Sequence, residues 1–241
     1  MNLIRQELLH LEMMEKNKIR FKFKKIMEFK YLSHLETVRL IIMAVARAKI
    51  KVKYSEGFNP NPKINFSFPV PVGLASFAEY ADIEICEKSG ATDFKAFLNA
   101  QLTEKLTVID SKNIFEKVPS LMADIELCSY CFKIKSLNKN LKEKIKNNIK
   151  NDIINKINNT EFESSIYNID LSFDEINSDI VYLNLIGYTK LSKNNKIFKF
   201  NDFLKYFKYL SNNNFLVVED YFKKEAYVLR NGMLKTPLEI V

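Results

Sequence analysis

The chain has 241 residues, 47% of them hydrophobic, and carries a formal net charge of +8 at pH 7. That length can bury one large core or two small ones. No window approaches the roughly 18 apolar residues of a membrane span, and the charged N-terminal segment lacks a signal-peptide core. We therefore expect a cytoplasmic protein that has no membrane partner.

The first predicted elements are a short amphipathic helix at residues 2–16 and a strand at Lys18–Met27. Alternation along the strand predicts one buried face, formed by Ile19, Phe21 and Phe23. The opposite face is predicted to be exposed and basic, and it carries Arg20, Lys22 and Lys24. Lys25 breaks the alternation, so the strand is expected to end near it.

A helix is predicted to begin after Ser33, because Ser33 and Glu36 have the spacing of a capping box. Its apolar positions are Leu35, Val38, Ile41, Ile42, Val45 and Ala48. His34 falls in the first turn, where unpaired N–H groups and the helix dipole attract anions. Arg39 falls on a different face. We interpret His34 either as an anion contact or as a histidine hydrogen-bonded to a neighbouring loop.

The stretch from Tyr54 to Lys63 is the most constrained part of the backbone. Gly57 can adopt a positive φ, while Pro60 and Pro62 fix their own φ and restrict Asn59 and Asn61. These residues predict a stiff surface loop that presents Asn59, Asn61 and Lys63 beside the rings of Tyr54 and Phe58. A rigid polar loop with aromatic side chains suits binding, because little ordering entropy is lost; the alternative is a plain helix-to-strand connection.

Further strands are predicted at Lys51–Tyr54, Ile64–Val70, Tyr80–Glu87 and Leu106–Asp110, with a helix capped at Thr92-Asp93 that runs through Leu102. The order strand, helix, strand, strand, helix, strand is that of a split βαβ, ferredoxin-like sandwich. Glu79, Tyr80 and Asp82 form an acidic cluster, interpreted as a solvated sheet face or as partners of the basic segment.

The pattern repeats after Pro119. Strands are predicted at 125–134, 165–173, 180–188, 216–218 and 225–230, with helices at 139–157 and 201–210, and Asn231-Gly232 is a hairpin turn signal. We therefore predict an α+β protein with a helical extension at 1–17 and two tandem ferredoxin-like domains, at 18–118 and 119–241.

The three cysteines argue against a disulfide framework, since their number is odd. Cys128 and Cys131 lie three apart on a predicted strand and would point to opposite faces, so they are predicted to be ordinary buried or edge thiols. The chain lacks the Cys-x-x-x-Cys-x-x-Cys motif of a radical enzyme's iron–sulfur cluster. We expect no metal and no cofactor.

Positive charge is concentrated in one segment. Between Lys16 and Lys63 there are 13 Lys or Arg against three Glu, a surplus of +10. Such an excess favours an anionic partner, of which RNA is the obvious one.

Several motifs resemble one bacterial domain family of unknown function, the radical-SAM-linked proteins. They are Arg20-Phe21-Lys22-Phe23, the segment Tyr31–Glu36, Arg39, the segments Tyr54–Ile64, Pro69–Gly73 and Glu79–Asp82, and the tail Arg230–Glu239. This chain departs from the family pattern at Asn61, where members usually carry His; Asn can hydrogen-bond but cannot titrate.

The resemblance implies an association with cobalamin-binding radical SAM proteins and with genes of ribosome and RNA processing, but no reaction. We therefore expect an accessory module that binds structured RNA, or presents it to a radical SAM partner. The anion contacts would be Arg20, Lys22, Lys24, Ser33, His34, Arg39 and Lys63, with the loop from Tyr54 to Pro62. The alternatives are a metal-independent endoribonuclease that uses His34, and a protein-only scaffold that docks the radical SAM partner through Tyr54 and Phe58.

Overall fold

The computed structural model describes residues 18–86, 90–115, 118–136, 155, 157, 160–173, 180–190, 195–212 and 216–241. The fold is α+β. The chain divides into two compact units: unit 1 is Met1–Asp124 with Lys235–Val241, and unit 2 is Ile125–Leu234. The predicted helix at 2–16 lies outside the described residues, as does the one at 139–157 apart from two residues near its end.

Unit 1 alternates strands and helices in the predicted order. Its elements are β1 (Lys18–Lys25), a 3-10 turn (Met27–Tyr31), α1 (His34–Arg47), β2 (Ile64–Phe66), β3 (Ala75–Glu84), α2 (Ala91–Asn99), β4 (Leu106–Ile114) and the short helix α3 (Leu121–Asp124). The strands lie in the order β4-β1-β3-β2, and each neighbouring pair is antiparallel.

The core of unit 1 lies between its sheet and its two longer helices. The predicted inward face of β1 is confirmed, since Ile19, Phe21 and Phe23 are all buried. Phe21 packs against Phe94 of α2, with ring centroids 5.3 Å apart. The same buried cluster contains Ile41, Ala44 and Val45 of α1, so both helices pack against this face of the sheet.

The prediction that the basic face of β1 is exposed is wrong at Arg20. This side chain is completely buried, and its Nε and Nη2 donate to the two oxygens of Asp82 at 2.7 and 3.0 Å. Nη1 also donates to the Pro237 carbonyl at 3.1 Å. The C-terminal segment therefore covers this part of the sheet, and Asp82 is a partner of the basic segment rather than part of a solvated face.

The buried side of α1 differs from the predicted one. Leu35 is 66% exposed, whereas the buried residues of the helix are Thr37, Ile41, Ala44 and Val45. At about 100° per residue, Leu35 lies roughly 120° around the helix axis from Ile41, so the two cannot face the same core. The helix is thus anchored along a narrower stripe than the sequence suggested.

Two strands near the prolines are shorter than predicted. The predicted strand Lys51–Tyr54 reduces to isolated bridges from Val52 and Tyr54, and the strand predicted to reach Val70 stops at Phe66. Prolines follow at 69 and 71, and proline cannot donate to a ladder. In contrast, β3 begins five residues earlier than predicted.

Unit 2 contains β5 (Leu127–Ser136), a 3-10 turn (Glu163–Ser165), β6 (Ile166–Phe173), β7 (Ile180–Tyr188), α4 (Phe200–Asn212) and β8 (Leu216–Arg230), and β9 (Met233–Lys235) begins in unit 2 and ends at the first residue of the C-terminal segment of unit 1. Its strands lie in the order β8-β5-β7-β6, again antiparallel. The two predicted strands near the end are one continuous strand, β8. The turn at Asn231-Gly232 is confirmed, since both residues have positive φ (52° and 76°).

Aromatic packing dominates the core of unit 2. Phe132 of β5 contacts Phe203 and Phe207 of α4, with centroids 5.5 and 5.3 Å apart. Gly187 leaves room for Phe198, because a Cβ there would lie 2.5 Å from the ring. Cys128 and Cys131 are buried, as predicted, and form no disulfide with each other. Burial raises the pKa of the Cys131 thiol.

Candidate functional site

The N-terminus of α1 is held by the predicted capping box. The Ser33 hydroxyl accepts from the Glu36 N–H at 3.3 Å, and the Ser33 N–H donates to Glu36 Oε2 at 2.7 Å. This hydrogen bond to Ser33 lowers the pKa of the Glu36 carboxyl. Two of the helix's N-terminal amides are therefore already satisfied by the protein itself.

His34 is the first residue of α1, and it is exposed. Its ring stands perpendicular to that of Phe66, with centroids 5.9 Å apart. It lines a small cavity with room for about one water molecule. The other walls of the cavity are Phe23, Lys25, Thr37, Phe66, Ser67, Pro69, Val70, Glu79 and Tyr80. The structure thus brings an imidazole, an amine and a carboxylate to one cavity.

Lys25 is the unexpected member of this cavity. It is only 3% exposed, and its Nζ donates to the Leu32 carbonyl at 3.0 Å. Burial lowers the pKa of Lys25, while the negative charges of Glu79 and Glu36 oppose that change. The sequence carried one signal, the break in alternation, which marks the point where the side chain turns inward at a register irregularity.

The predicted surface loop is a closed hairpin, which we call the proline hairpin (Tyr54–Lys63). Tyr54 bridges to Pro62, and the Ser55 N–H donates to the Asn61 carbonyl at 2.8 Å. The Ser55 hydroxyl accepts the Asn61 N–H at 2.9 Å. Gly57 takes φ 119° at the tip, a conformation that other residues rarely adopt. The hydrogen bonds and proline together brace this loop.

Phe58 stands at the tip of the proline hairpin with its ring fully in solvent, at 105% relative exposure. Tyr54 is 53% exposed on the same hairpin. The Asn61 side-chain amide donates to the Asn59 carbonyl at 3.1 Å, so one of its donors is used within the hairpin. The hairpin therefore presents two aromatic rings, Phe58 and Tyr54, to solvent.

Lysines surround the base of the proline hairpin. The Lys63 N–H donates to the Lys53 carbonyl at 2.8 Å, so the two lysines lie on facing strands of the hairpin. Lys51 lies two residues before Lys53, farther from the tip of the hairpin, and its carbonyl accepts a hydrogen bond from the Cys86 N–H. Lys51 is exposed, and Lys53 and Lys63 are half-buried. Three lysines therefore lie at the base of a hairpin that carries two exposed aromatic rings.

The remaining predicted contacts are dispersed. Neither Arg39 nor Lys63 belongs to the described lining of the His34 cavity. Arg39 is exposed, and its charge lies near Glu36. Lys22 and Lys24 are half-buried, and the Lys22 ammonium lies 6.0 Å from the Tyr80 ring. The residues of the predicted single site are thus divided among the buried Arg20–Asp82 ion pair, the His34 cavity and the proline hairpin.

Within the described ranges, no three His, Cys, Asp or Glu side chains gather as a metal-ligand set. In the same part of the chain, no helix has the length and apolar character needed to cross a membrane.

Comparison with known proteins identifies one family. Residues 18–196 match the family described as "Uncharacterized protein conserved in bacteria (DUF2344)". A comparison with curated proteins finds no match. A crystal structure from Lactobacillus acidophilus NCFM, of a protein provisionally named a monooxygenase, is 12% identical, covers 92% of this chain and 97% of its own, and has a TM-score of 0.30. At that TM-score the likeness supports no inference about fold or activity.

Proposed function

The chain belongs to the DUF2344 family of uncharacterized bacterial proteins, and we propose that it is an accessory module that binds single-stranded RNA through the proline hairpin. The observation that carries this proposal is the fully exposed Phe58 on a hairpin whose base carries Lys51, Lys53 and Lys63. Unpaired bases stack on aromatic rings, while Lys side chains neutralise the backbone phosphates.

The hairpin suits single strands better than duplexes. Bases in an A-form helix are stacked on each other, so a protruding ring can reach only bases in loops, bulges and ends. Tyr54 and Phe58 lie four residues apart on one braced loop, and each ring offers a stacking face. The hairpin is held by its own hydrogen bonds, so binding orders few additional groups.

Three further proposals accompany this function. We infer that each unit is a ferredoxin-like sandwich, which the antiparallel strand orders β4-β1-β3-β2 and β8-β5-β7-β6 support. We propose a radical SAM protein as the partner that receives the RNA, on the strength of the sequence motifs alone. A cytoplasmic location fits both RNA and such a partner.

Binding should weaken steeply as salt rises, because lysine contacts release counterions from RNA. Three phosphate contacts on a single strand give a log–log slope of about −2, or a roughly 20-fold loss of affinity between about 50 and 200 mM salt. Fluorescence anisotropy with an unstructured oligonucleotide measures this. An affinity that stays constant between the two salt concentrations, or no binding at either, would remove the proposal.

A metal-independent endoribonuclease is the second candidate, because His34 is exposed beside the Lys25 cavity. General acid–base cleavage needs such a group. The carboxylates of Glu36 and Glu79, whose charges both act on Lys25, count against it, since they would repel the phosphate at the scissile bond. His34→Ala would abolish cleavage and leave binding intact if the enzyme reading held; equal turnover in the variant excludes it.

A further inference from the structure

Unit 1 is interrupted in sequence by unit 2. Its chain leaves after Asp124 and returns with the segment Lys235–Val241, which we call the strap. Residues 118–124, which lead to the point of exit and include α3, are called the connector. The strap and the connector both belong to unit 1, although the whole of unit 2 separates them in the chain. Contacts within unit 1, rather than chain connectivity, must therefore hold the two stretches in place.

A single guanidinium contacts both stretches. Arg20 Nη1 donates to the Pro237 carbonyl of the strap at 3.1 Å, and Nη2 donates to the Pro119 carbonyl of the connector at 3.4 Å. Nε and Nη2 also donate to the two oxygens of Asp82, at 2.7 and 3.0 Å. The planar guanidinium presents its donors in fixed directions. The buried ion pair with Asp82 therefore determines where both carbonyls can accept.

The strap is packed onto the sheet of unit 1. Pro237 and Leu238 are buried. The charge of Lys112 acts on Glu239 of the strap, and Lys112 lies on β4, the neighbour of β1. Within the strap, the Glu239 N–H donates to the Thr236 carbonyl at 3.0 Å. This amide exchanges slowly only while the strap stays in place, so its exchange reports opening of the strap.

The connector is anchored in a comparable way. Leu121 is only 1% exposed, and α3 packs against β2 and β3. The N–H groups of Ala123 and Asp124 both donate to the Ser120 carbonyl at 2.9 Å. Their exchange reports opening of the connector. Each stretch thus has its own packing and its own reporter amides, and Arg20 is in contact with both.

We propose that Arg20 couples the strap to the connector, so that the two stretches open together as one cooperative unit smaller than the whole fold. When the strap opens, Arg20 loses the Pro237 carbonyl and water reaches the buried ion pair. The hydrogen bond to the Pro119 carbonyl then weakens, because water competes for the same donor and raises the local dielectric constant. A protease or partner that removes the strap thereby releases the connector as well. This device does not depend on RNA binding at the proline hairpin.

Hydrogen–deuterium exchange of the full chain, resolved by peptide mass spectrometry, tests the coupling. The variant Arg20→Lys keeps the positive charge beside Asp82 but lacks the planar fork that reaches both carbonyls. We expect exchange to become roughly 10- to 100-fold faster in the strap and in the connector alike, the effect of losing one charged hydrogen bond. Peptides from α2 of unit 1 and α4 of unit 2 are the internal controls and should keep their wild-type rates.

A second variant perturbs the strap and leaves Arg20 unaltered. Leu238→Ala removes a buried side chain of the strap, so we expect exchange there to accelerate by more than about tenfold. The connector should accelerate by the same factor, although the substitution lies outside it. Acceleration of the strap alone in this variant, or of neither stretch in Arg20→Lys, overturns the proposal. Equal acceleration of α2 also overturns it, because it shows that unit 1 as a whole has lost stability.

Discussion

Replacing Arg20 by Met should lower the free energy of unfolding by about 3–5 kcal/mol, the usual cost of breaking a buried ion pair from one side. Arg20 and Asp82 are 0% and 1% exposed, and two hydrogen bonds join them. The substitution leaves the Asp82 carboxylate buried; within the described ranges Lys18, at 3.5 Å, is then its one ion-pair partner. It also removes the donor to the Pro237 carbonyl. Urea denaturation followed by circular dichroism measures the loss.

Two further variants distinguish the loss of the ion pair from the effect on stability of any substitution in β1. Lys24→Met, on the same strand but half-buried, should change stability by no more than about 0.5 kcal/mol. The double variant Arg20→Met with Asp82→Leu should recover most of the loss, because no buried charge then lacks its partner. Arg20→Met with wild-type stability would show that the pair is not closed in solution.

The second large effect is expected on RNA affinity. Phe58→Ala should weaken binding of a single-stranded RNA by about 1–3 kcal/mol, the contribution of one stacked base, which is roughly 5- to 150-fold in Kd. The ring is fully exposed, so its removal takes away no packing within the protein. Stability should therefore stay within about 0.5 kcal/mol of wild type. Anisotropy and urea denaturation on the same preparations measure both quantities.

Phe115→Ala is the matched control for that variant. Phe115 is also a highly exposed phenylalanine, at 80%, but it follows β4 and lies off the proline hairpin. Its removal should leave RNA affinity unchanged. If both variants weakened RNA binding equally, the effect would reflect the apolar character of the surface in general.

A different outcome would point to a protein partner. If Phe58→Ala no longer bound that protein, while its RNA affinity stayed at the wild-type level, the hairpin would be a protein-binding site.

Local signals in the sequence predicted local structure well. The capping box at Ser33 and Glu36 needs only residues three apart, and the Asn231-Gly232 turn needs only two residues that tolerate positive φ. The buried face of β1 followed from alternation, since Ile19, Phe21 and Phe23 all point to one side. These features depend on neighbours in the chain and are visible without knowledge of the fold.

The burial of charge could not be read in the same way. Arg20 and Lys22 occupy equivalent positions in the alternation, yet only Arg20 meets Asp82, which is 62 residues away, and the Pro237 carbonyl, 217 residues away. For Lys25, the sequence signal was the break in the alternation of β1, which did not show that the side chain is buried. Periodicity tells which face a residue lies on, but not whether a distant segment covers that face, and this is why one predicted site became a buried ion pair, a cavity and a hairpin.

The location of the RNA contact is tested most directly by ultraviolet crosslinking of the wild-type protein to an unstructured RNA, with the attachment points mapped by peptide mass spectrometry. We predict crosslinks at Phe58 and Tyr54, reduced at high salt. Crosslinks confined to residues outside 51–63, with none on the proline hairpin, would contradict the proposed interface.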